Sequence, residues 1–196
     1  MATTKQVAER PKLILLFSGK RKSGKDYLTD IIHQRIGKDK CTIIRLSGPI
    51  KKYWAETKSI LFDELLSDGQ LKEQYRKEMI DWSDSIRFND PGYFCQKSVE
   101  MYDPMHLKDI WIISDARRKT DIAWFRSNFK NVKTIRIIAT ECTRKDRGWK
   151  YTQGIDDMTS ECDLDDISDW HWVIQNDEDI ASQHTVNKIV SYSLSV

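Results

Sequence analysis

Leu13-Ile14-Leu15-Leu16-Phe17-Ser18-Gly19-Lys20-Arg21-Lys22-Ser23-Gly24-Lys25-Asp26 is the stretch from which the fold can be read. The apolar run Leu13 to Phe17 has the length of a strand buried on both faces. The octet that follows, Gly19 to Asp26, matches G-x-x-x-x-G-K and then departs, with Asp26 where Ser or Thr is usual. Glycines let backbone N–H groups curl around phosphate oxygens, the next helix adds its positive dipole end, and Lys25 reaches toward the β and γ phosphates. Lys20, Arg21, Lys22 and Lys25 crowd four cations into six positions, a density that repels itself unless an anion is bound. A basic turn between a strand and a helix would show the same glycines without that use. Asp26 can serve as a metal-directed carboxylate, directly or through water, or as a negative charge at a helix N-terminus.

Outward from this loop the chain alternates short apolar runs with helical spacing. Cys41 to Leu46, Ile110 to Ser114, Thr134 to Ala139 and Trp170 to Ile174 read as further strands. Asp26 to Ile36, Pro49 to Lys58, Leu71 to Arg87, Pro91 to Met101, Asp121 to Phe129 and, more weakly, Ile180 to Ser193 read as helices. The expected fold is α/β, a doubly wound five-stranded parallel sheet flanked by helices. Residues 47–109 and 141–169 are longer than simple crossovers need and are candidates to carry function. The acidic stretch Asp156 to Asp169 reads as a loop or a short helix.

Composition narrows the classes. At 196 residues the chain is expected to form a single domain, and 39% hydrophobic residues with aromatics throughout exclude a disordered protein. The first twelve residues are polar with no secretory apolar segment, and no run is long enough to span a bilayer, so neither export nor membrane insertion is expected. Cys41, Cys95, Cys142 and Cys162 form no CxxC pair, which favours reduced cytosolic thiols over disulfides or zinc. His33, His106, His171 and His184 match no catalytic or metal spacing. The net charge of +2 hides an asymmetry: residues 1–150 hold 31 Lys or Arg against 20 Asp or Glu, a local balance of +11, while residues 151–196 hold one basic and ten acidic residues. The basic part is suited to an anionic ligand.

Asp115, after the third apolar run in Ser114-Asp115-Ala116-Arg117-Arg118, stands where a carboxylate orients a metal at the carboxyl edge of an open sheet. It can equally cap a loop beside solvated arginines. A regulatory GTPase is excluded because no glycine has Asp three residues before it and no NKxD follows. A small-molecule kinase of the nucleoside-monophosphate-kinase type calls for a cationic acceptor-binding insertion and an arginine-bearing lid. Lys72, Arg76 and Arg87 return to nearly one helical azimuth, with Lys51 and Lys52 before them, and Arg144 and Arg147 lie three apart with Gly148 as a stop or hinge. Such arginines can clamp a moving phosphoryl group. A solvated face carrying a Glu73–Lys77 pair is the simpler account of the first cluster.

Phe17-Ser18 with the loop to Asp26, Arg45-Leu46-Ser47-Gly48-Pro49, Asp90-Pro91-Gly92-Tyr93-Phe94-Cys95, Ser114 to Arg118, Trp124-Phe125-Arg126 and Arg147-Gly148-Trp149 together resemble the animal phosphomevalonate kinases over nearly the whole chain. The resemblance implies a cytosolic, monomeric P-loop kinase that moves the γ-phosphoryl of ATP, with Mg²⁺, to 5-phosphomevalonate, and that engages neither nucleic acid nor membrane. It implies one domain, residues 1–196, with an acceptor-binding insertion at about 47–109 and a lid at about 141–155. By resemblance Gly19, Lys20, Arg21, Lys22, Ser23, Gly24, Lys25 and Asp26 hold the nucleotide, with Asn176 at the adenine. Lys20, Lys25 and Arg117 are then the catalytic candidates, and Asp26 and Asp115 the metal candidates. Lys51, Lys72, Arg76, Arg87, Arg117, Arg118, Arg144 and Arg147 are the substrate candidates, with Arg136 a further basic position. Gln96 departs from the pattern where a basic residue is expected, and Ser193 to Val196 is no peroxisomal tripeptide. An acceptor that is a nucleoside monophosphate, and a nucleotide-responsive binder of polyanions such as RNA, are the alternative readings.

Overall fold

All seven residues of the first strand, Leu13–Gly19, are buried, so elements must cover both faces of the sheet. The computed structural model describes residues 11–66 and 69–196, and the first ten residues of the polar N-terminal stretch lie outside them. In chain order the elements are β1 (Leu13–Gly19), α1 (Lys25–Ile36), β2 (Cys41–Ile44), α2 (Gly48–Lys58), α3 (Phe62–Leu66), α4 (Gln70–Asn89), α5 (Tyr93–Tyr102), β3 (Ile110–Ile113), α6 (Lys119–Asn128), β4 (Val132–Ile138), α7 (Glu141–Asp146), α8 (Thr159–Cys162), β5 (Trp172–Gln175) and α9 (Asp179–Leu194).

The sheet runs β2-β3-β1-β4-β5, and every pairing is parallel. Alternation along β1 assigns its side chains to two layers. Leu13, Leu15 and Phe17 pack with Leu28 and Ile32 of α1 and with Val186, Ile189 and Val190 of α9. Ile14 and Leu16 face the other way, into Val99 of α5 and Ile122 and Phe125 of α6. The chain leaves β1 for β2 on one side and later reaches β4 on the other. The crevice that this reversal opens lies at the carboxyl end of β1, where open sheets bind their ligands.

A third, smaller core belongs to the connection between β2 and β3. Trp54 and Ala55 of α2, Leu65 of α3 and Met79 of α4 are buried together, and Tyr53 stacks on Trp82 at 4.2 Å between ring centroids. The insertion therefore has its own apolar support beside the sheet. Helix α3 escaped the sequence reading because five residues show no periodicity, and α8 falls inside the acidic stretch Asp156 to Asp169. Trp170 lies before β5 and turns its indole N–H to the Ile167 carbonyl at 2.8 Å.

Leu16 is fully buried in the centre of β1. Leu16→Ala is expected to cost about 2–5 kcal/mol in urea unfolding, whereas Leu107→Ala, at a side chain 61% exposed, should stay within about 0.5 kcal/mol. Equal losses at the two positions would contradict the layer assignment.

Candidate active site

The loop between β1 and α1 is shaped by close approaches that only glycine permits. A Cβ on Gly19 would meet Ser23 Oγ at 2.7 Å and the Ile137 carbonyl at 2.8 Å. Gly24, at φ 85°, is left-handed, and a Cβ there would meet Asn176 Nδ2 at 2.2 Å. Gly24 caps α1 with no side-chain hydrogen bond, so the first backbone N–H groups of the helix face the loop without an internal acceptor. Ser23 Oγ and Ser114 Oγ are buried with no hydrogen-bond partner. Buried hydroxyls of this kind suit a site that receives further polar groups.

Cations from four segments meet at this edge. Lys25 is 7% exposed and its Nζ donates to Asp26 Oδ1 at 3.0 Å. The Lys25 charge, against a weaker pull from burial, holds the Asp26 carboxyl well below the usual carboxylate range, and Arg117 and Lys72 add to the effect. Burial and then the charge of Lys72 bring Lys51 down to about 8. Asp115 accepts the Leu46 N–H at 2.6 Å and the Ser47 N–H at 3.0 Å. Burial pushes its carboxyl up, but Lys25 and the Ser47 bond outweigh burial and leave it lowered. Asp115 thus ties the end of β3 to the start of α2 while facing Lys25 and Lys51.

Arg117 donates from Nη1 to Glu161 Oε1 at 2.6 Å and to the Gly19 carbonyl at 3.3 Å. Its neighbour Arg118 turns away to pair with Asp84 of α4. The two part because Arg118 is extended, at φ −122° and ψ 148°, and successive side chains of an extended segment diverge. Asp121, fully buried, fixes the turn by accepting the N–H of Arg117 at 2.9 Å and of Arg118 at 3.0 Å, and it also takes Arg87 Nη1 at 2.6 Å.

The remaining expected residues fall into two groups. Arg144 donates to the Arg21 carbonyl at 2.8 Å and lies 4.0 Å from the Trp149 ring centroid. Arg147 donates to the Ser23 carbonyl at 3.2 Å and the Asn176 carbonyl at 2.8 Å, and Asn176 Nδ2 also reaches Ser23 O at 2.8 Å. These three side chains brace the backbone of the phosphate loop, and left-handed Gly148 ends α7 behind them. In the insertion, Arg76 pairs with Glu73 in its own helix, and Lys77 pairs with Asp81 at 2.6 Å in place of the expected Glu73–Lys77 contact. Glu73 instead reaches Arg21 at 3.5 Å. Arg136 donates to Ser18 Oγ at 2.9 Å and to Asp165 at 2.6 Å. Gln96 donates to Glu100 at 2.9 Å.

Sequence reasoning passed over the acidic partners. Asp165 pairs with Lys20 at 2.6 Å and Asp156 with Arg21 at 2.9 Å, while Glu161 takes Arg117 and the Arg21 N–H. The signal was the charge reversal after residue 150, where ten acidic residues stand against one Lys.

The phosphomevalonate kinase family model matches residues 17–131. A phosphomevalonate kinase of Drosophila melanogaster is 46% identical over 170 residues, which cover 85% of this chain and 89% of that protein. The chain belongs to the phosphomevalonate kinase family. A crystal structure of TT1252 from Thermus thermophilus superposes with a TM-score of 0.55 at 14% identity, covering 94% of this chain and 99% of that one, which supports the fold alone. The family match includes the loop, Asp115, Arg117 and Arg118, while Arg144, Arg147, Glu161 and Asn176 lie beyond its last residue. Kinase membership makes ATP the nucleotide substrate.

Gly24→Ala forces a left-handed β-carbon, at about 1–2 kcal/mol, and displaces the Asn176 amide. ATP affinity by calorimetry is expected to fall about tenfold or more, with the circular dichroism spectrum retained. Unaltered affinity would show that the loop does not need this geometry.

Proposed function

We propose that this chain transfers the γ-phosphoryl group of ATP to the phosphate of 5-phosphomevalonate, giving 5-diphosphomevalonate and ADP, as a monomer in the cytosol. One observation carries the reading beside family membership: Lys25, Lys51, Lys72 and Arg117, from four separate segments, act together on Asp26 and Asp115 at one sheet edge. Among the described residues no helix is long and apolar enough to cross a membrane. Nucleic acid and membrane have no part in the reading.

The acceptor phosphate is already anionic near neutral pH, so no side chain has to remove a proton before attack. The difficulty is bringing two polyanions into line, and cations answer it. In this reading the backbone from Gly19 to Gly24 cradles the nucleotide phosphates, aided by Lys20, Arg21, Lys22 and Ser23. Lys20 and Lys25 follow the transferred group, and Arg117 meets it from β3. Lys51, Lys72, Arg76, Arg87 and Arg118 serve the acceptor. Arg144, Arg147 and Asn176 act through the loop they brace, with Asn176 at the adenine side. The acceptor-binding part spans about 47–109 and the lid about 141–155 of a single domain.

The residues present fit Mg²⁺. Asp26 is an open carboxylate, 72% exposed and kept ionised by Lys25, and Ser23 Oγ has an unused lone pair nearby in sequence. Asp115, whose oxygens already hold two backbone N–H groups, would act through water. Among the described residues no group of three or more His, Cys, Asp or Glu is arranged to hold a metal, which agrees with an ion that keeps its waters and leans on one or two carboxylates and on phosphates. Held by Asp26 and Ser23, with Asp115 through water, Mg²⁺ would supply positive charge against the phosphates.

A coupled ADP-release assay with 5-phosphomevalonate beside mevalonate, AMP, CMP and UMP tests the assignment. Turnover is expected with 5-phosphomevalonate alone, and turnover of a nucleotide acceptor instead would overturn it. Lys51 supplies a pH test. The acceptor prefers charged Lys51, so its KM should be flat below pH about 8 and rise above it as the side chain loses its proton. Lys51→Arg should keep KM flat through that range, since guanidinium stays charged. A rise of the same size in the variant would remove Lys51 from the acceptor site.

A further inference from the structure

Glu161 is 8% exposed, and a carboxylate taken that far from water persists only where charge and hydrogen bonds replace its hydration. Its two oxygens are divided between two distant parts of the site. Oε1 accepts from Arg117 Nη1 at 2.6 Å, across 44 residues of sequence, and Oε2 accepts the backbone N–H of Arg21 at 3.2 Å, across 140. We propose that Glu161 is a positioning residue that sets the Arg117 guanidinium against the phosphate loop. The proposal rests on the reading above in which Arg117 meets the transferred phosphoryl group.

Three observations support it. First, the Arg117 backbone and side chain are fixed by different residues: Asp121 Oδ2 takes the N–H at 2.9 Å, and Glu161 takes the guanidinium. Without Glu161 the long side chain would keep only the Gly19 carbonyl, at 3.3 Å. Secondly, both hydrogen bonds of the Arg117 side chain start from Nη1, so Nε and Nη2 have no acceptor among the described residues. A guanidinium held by one corner presents its remaining donors in a fixed plane, which suits a planar array of phosphoryl oxygens. Thirdly, Glu161 stands on a supported segment. Leu164 is 2% exposed in the core, Asp163 accepts the Lys119 N–H at 2.7 Å, and Asp165 holds both Lys20 and Arg136 at 2.6 Å.

A carboxylate on a loop N–H can also be read as a competitor for phosphate. Burial argues against that, because Glu161 could not leave the loop N–H for water without also giving up the 2.6 Å bond that neutralises it against Arg117. The two accounts predict opposite effects on nucleotide affinity.

Glu161→Ala and Glu161→Gln, assayed with ATP and 5-phosphomevalonate beside the unaltered protein, decide the matter. Glu161→Ala is expected to lower kcat about a hundredfold, with KM for ATP within about threefold. Glu161→Gln keeps one acceptor oxygen and should recover part of the loss. In an Arg117→Lys background the same alanine change should cost little more, because both act on one group. The proposal fails if kcat stays within about twofold, if the losses multiply independently, or if Glu161→Ala tightens ATP binding while kcat is retained. Where the alanine variant does not fold, the glutamine variant carries the same comparison. Should the unaltered protein itself not turn over 5-phosphomevalonate, the functional reading falls separately. Nuclear magnetic resonance then judges Glu161: the Arg21 amide and Arg117 guanidinium signals must both shift in Glu161→Gln, and unchanged signals reject the proposal.

Discussion

Lys20, Arg21, Lys22 and Lys25 share one turn, and the chain can hold that turn only by bringing opposite charge to it. The pairs that do so divide by exposure. Lys20 and Asp165 meet at 2.6 Å with side chains 36% and 37% exposed, and water screens such a pair to about 1 kcal/mol or less. A polyphosphate can replace it at little cost. Arg21 with Asp156 and Arg117 with Glu161 are different, because the carboxylates are only 5% and 6% exposed. Breaking either from one side strands a buried charge, which is strongly unfavourable. The exposed pair is exchangeable and the buried ones are framework, so the site combines a fixed shape with charge that remains available to a ligand.

That framework is anchored to the sheet through β1. Burial of both its faces leaves no freedom in where Gly19 ends, and the register places Gly19 beside Ile137 of β4. β3, on the other side, delivers Asp115 and Arg117 to the same edge, and β5 delivers Asn176. The Asn176 N–H donates to the Ile138 carbonyl at 2.8 Å and its amide group supports the Ser23 carbonyl. Gly19, Asp115 and Asn176 are therefore each within two positions of a strand end, where the backbone is least able to drift.

The elements that were legible in the sequence are those whose signal is local. Leu13 to Phe17 reads as a buried strand because a contiguous apolar run has no other economical use at that length, and Gly19 to Lys25 reads as a phosphate loop because the chemistry constrains residue types at fixed spacing. Partner choice was not legible. Helical spacing proposes Glu73 and Lys77 as a pair, yet Arg76 and Arg21 compete for Glu73 and Lys77 turns to Asp81. Likewise Arg144 and Arg147 share a helical face in sequence, but only the packed structure shows that they grip the Arg21 and Ser23 carbonyls. The acidic stretch from Asp156 has no period to read. Its charge sign was the accessible clue, and the identity of its partners depends on which loop it packs against.

The adjacent arginines 117 and 118 show how this packing converts sequence into function. Extended backbone sends their side chains to opposite sides, so Arg117 belongs to the phosphate loop and Arg118 to Asp84 of α4. Arg87 of α4 returns the contact by reaching Asp121, the same carboxylate that fixes both arginine N–H groups. Helix α4 is thus joined to the β3–α6 turn by two ion pairs, and to the phosphate loop by the looser Arg21–Glu73 contact at 3.5 Å. On the proposed reading, an anionic acceptor entering between helix and loop meets cations on both sides. Arg118 uses Nη2 on Asp84 and Arg87 uses Nη1 on Asp121, and a closer approach to either arginine competes with that carboxylate. The buried Asp121 cannot be left without its cation, whereas Asp84, 34% exposed, can return to water. The Arg118–Asp84 pair is therefore the one that can open, whereas Arg87 stays on Asp121 and, on the proposed reading, serves the acceptor with the donors that Asp121 does not use.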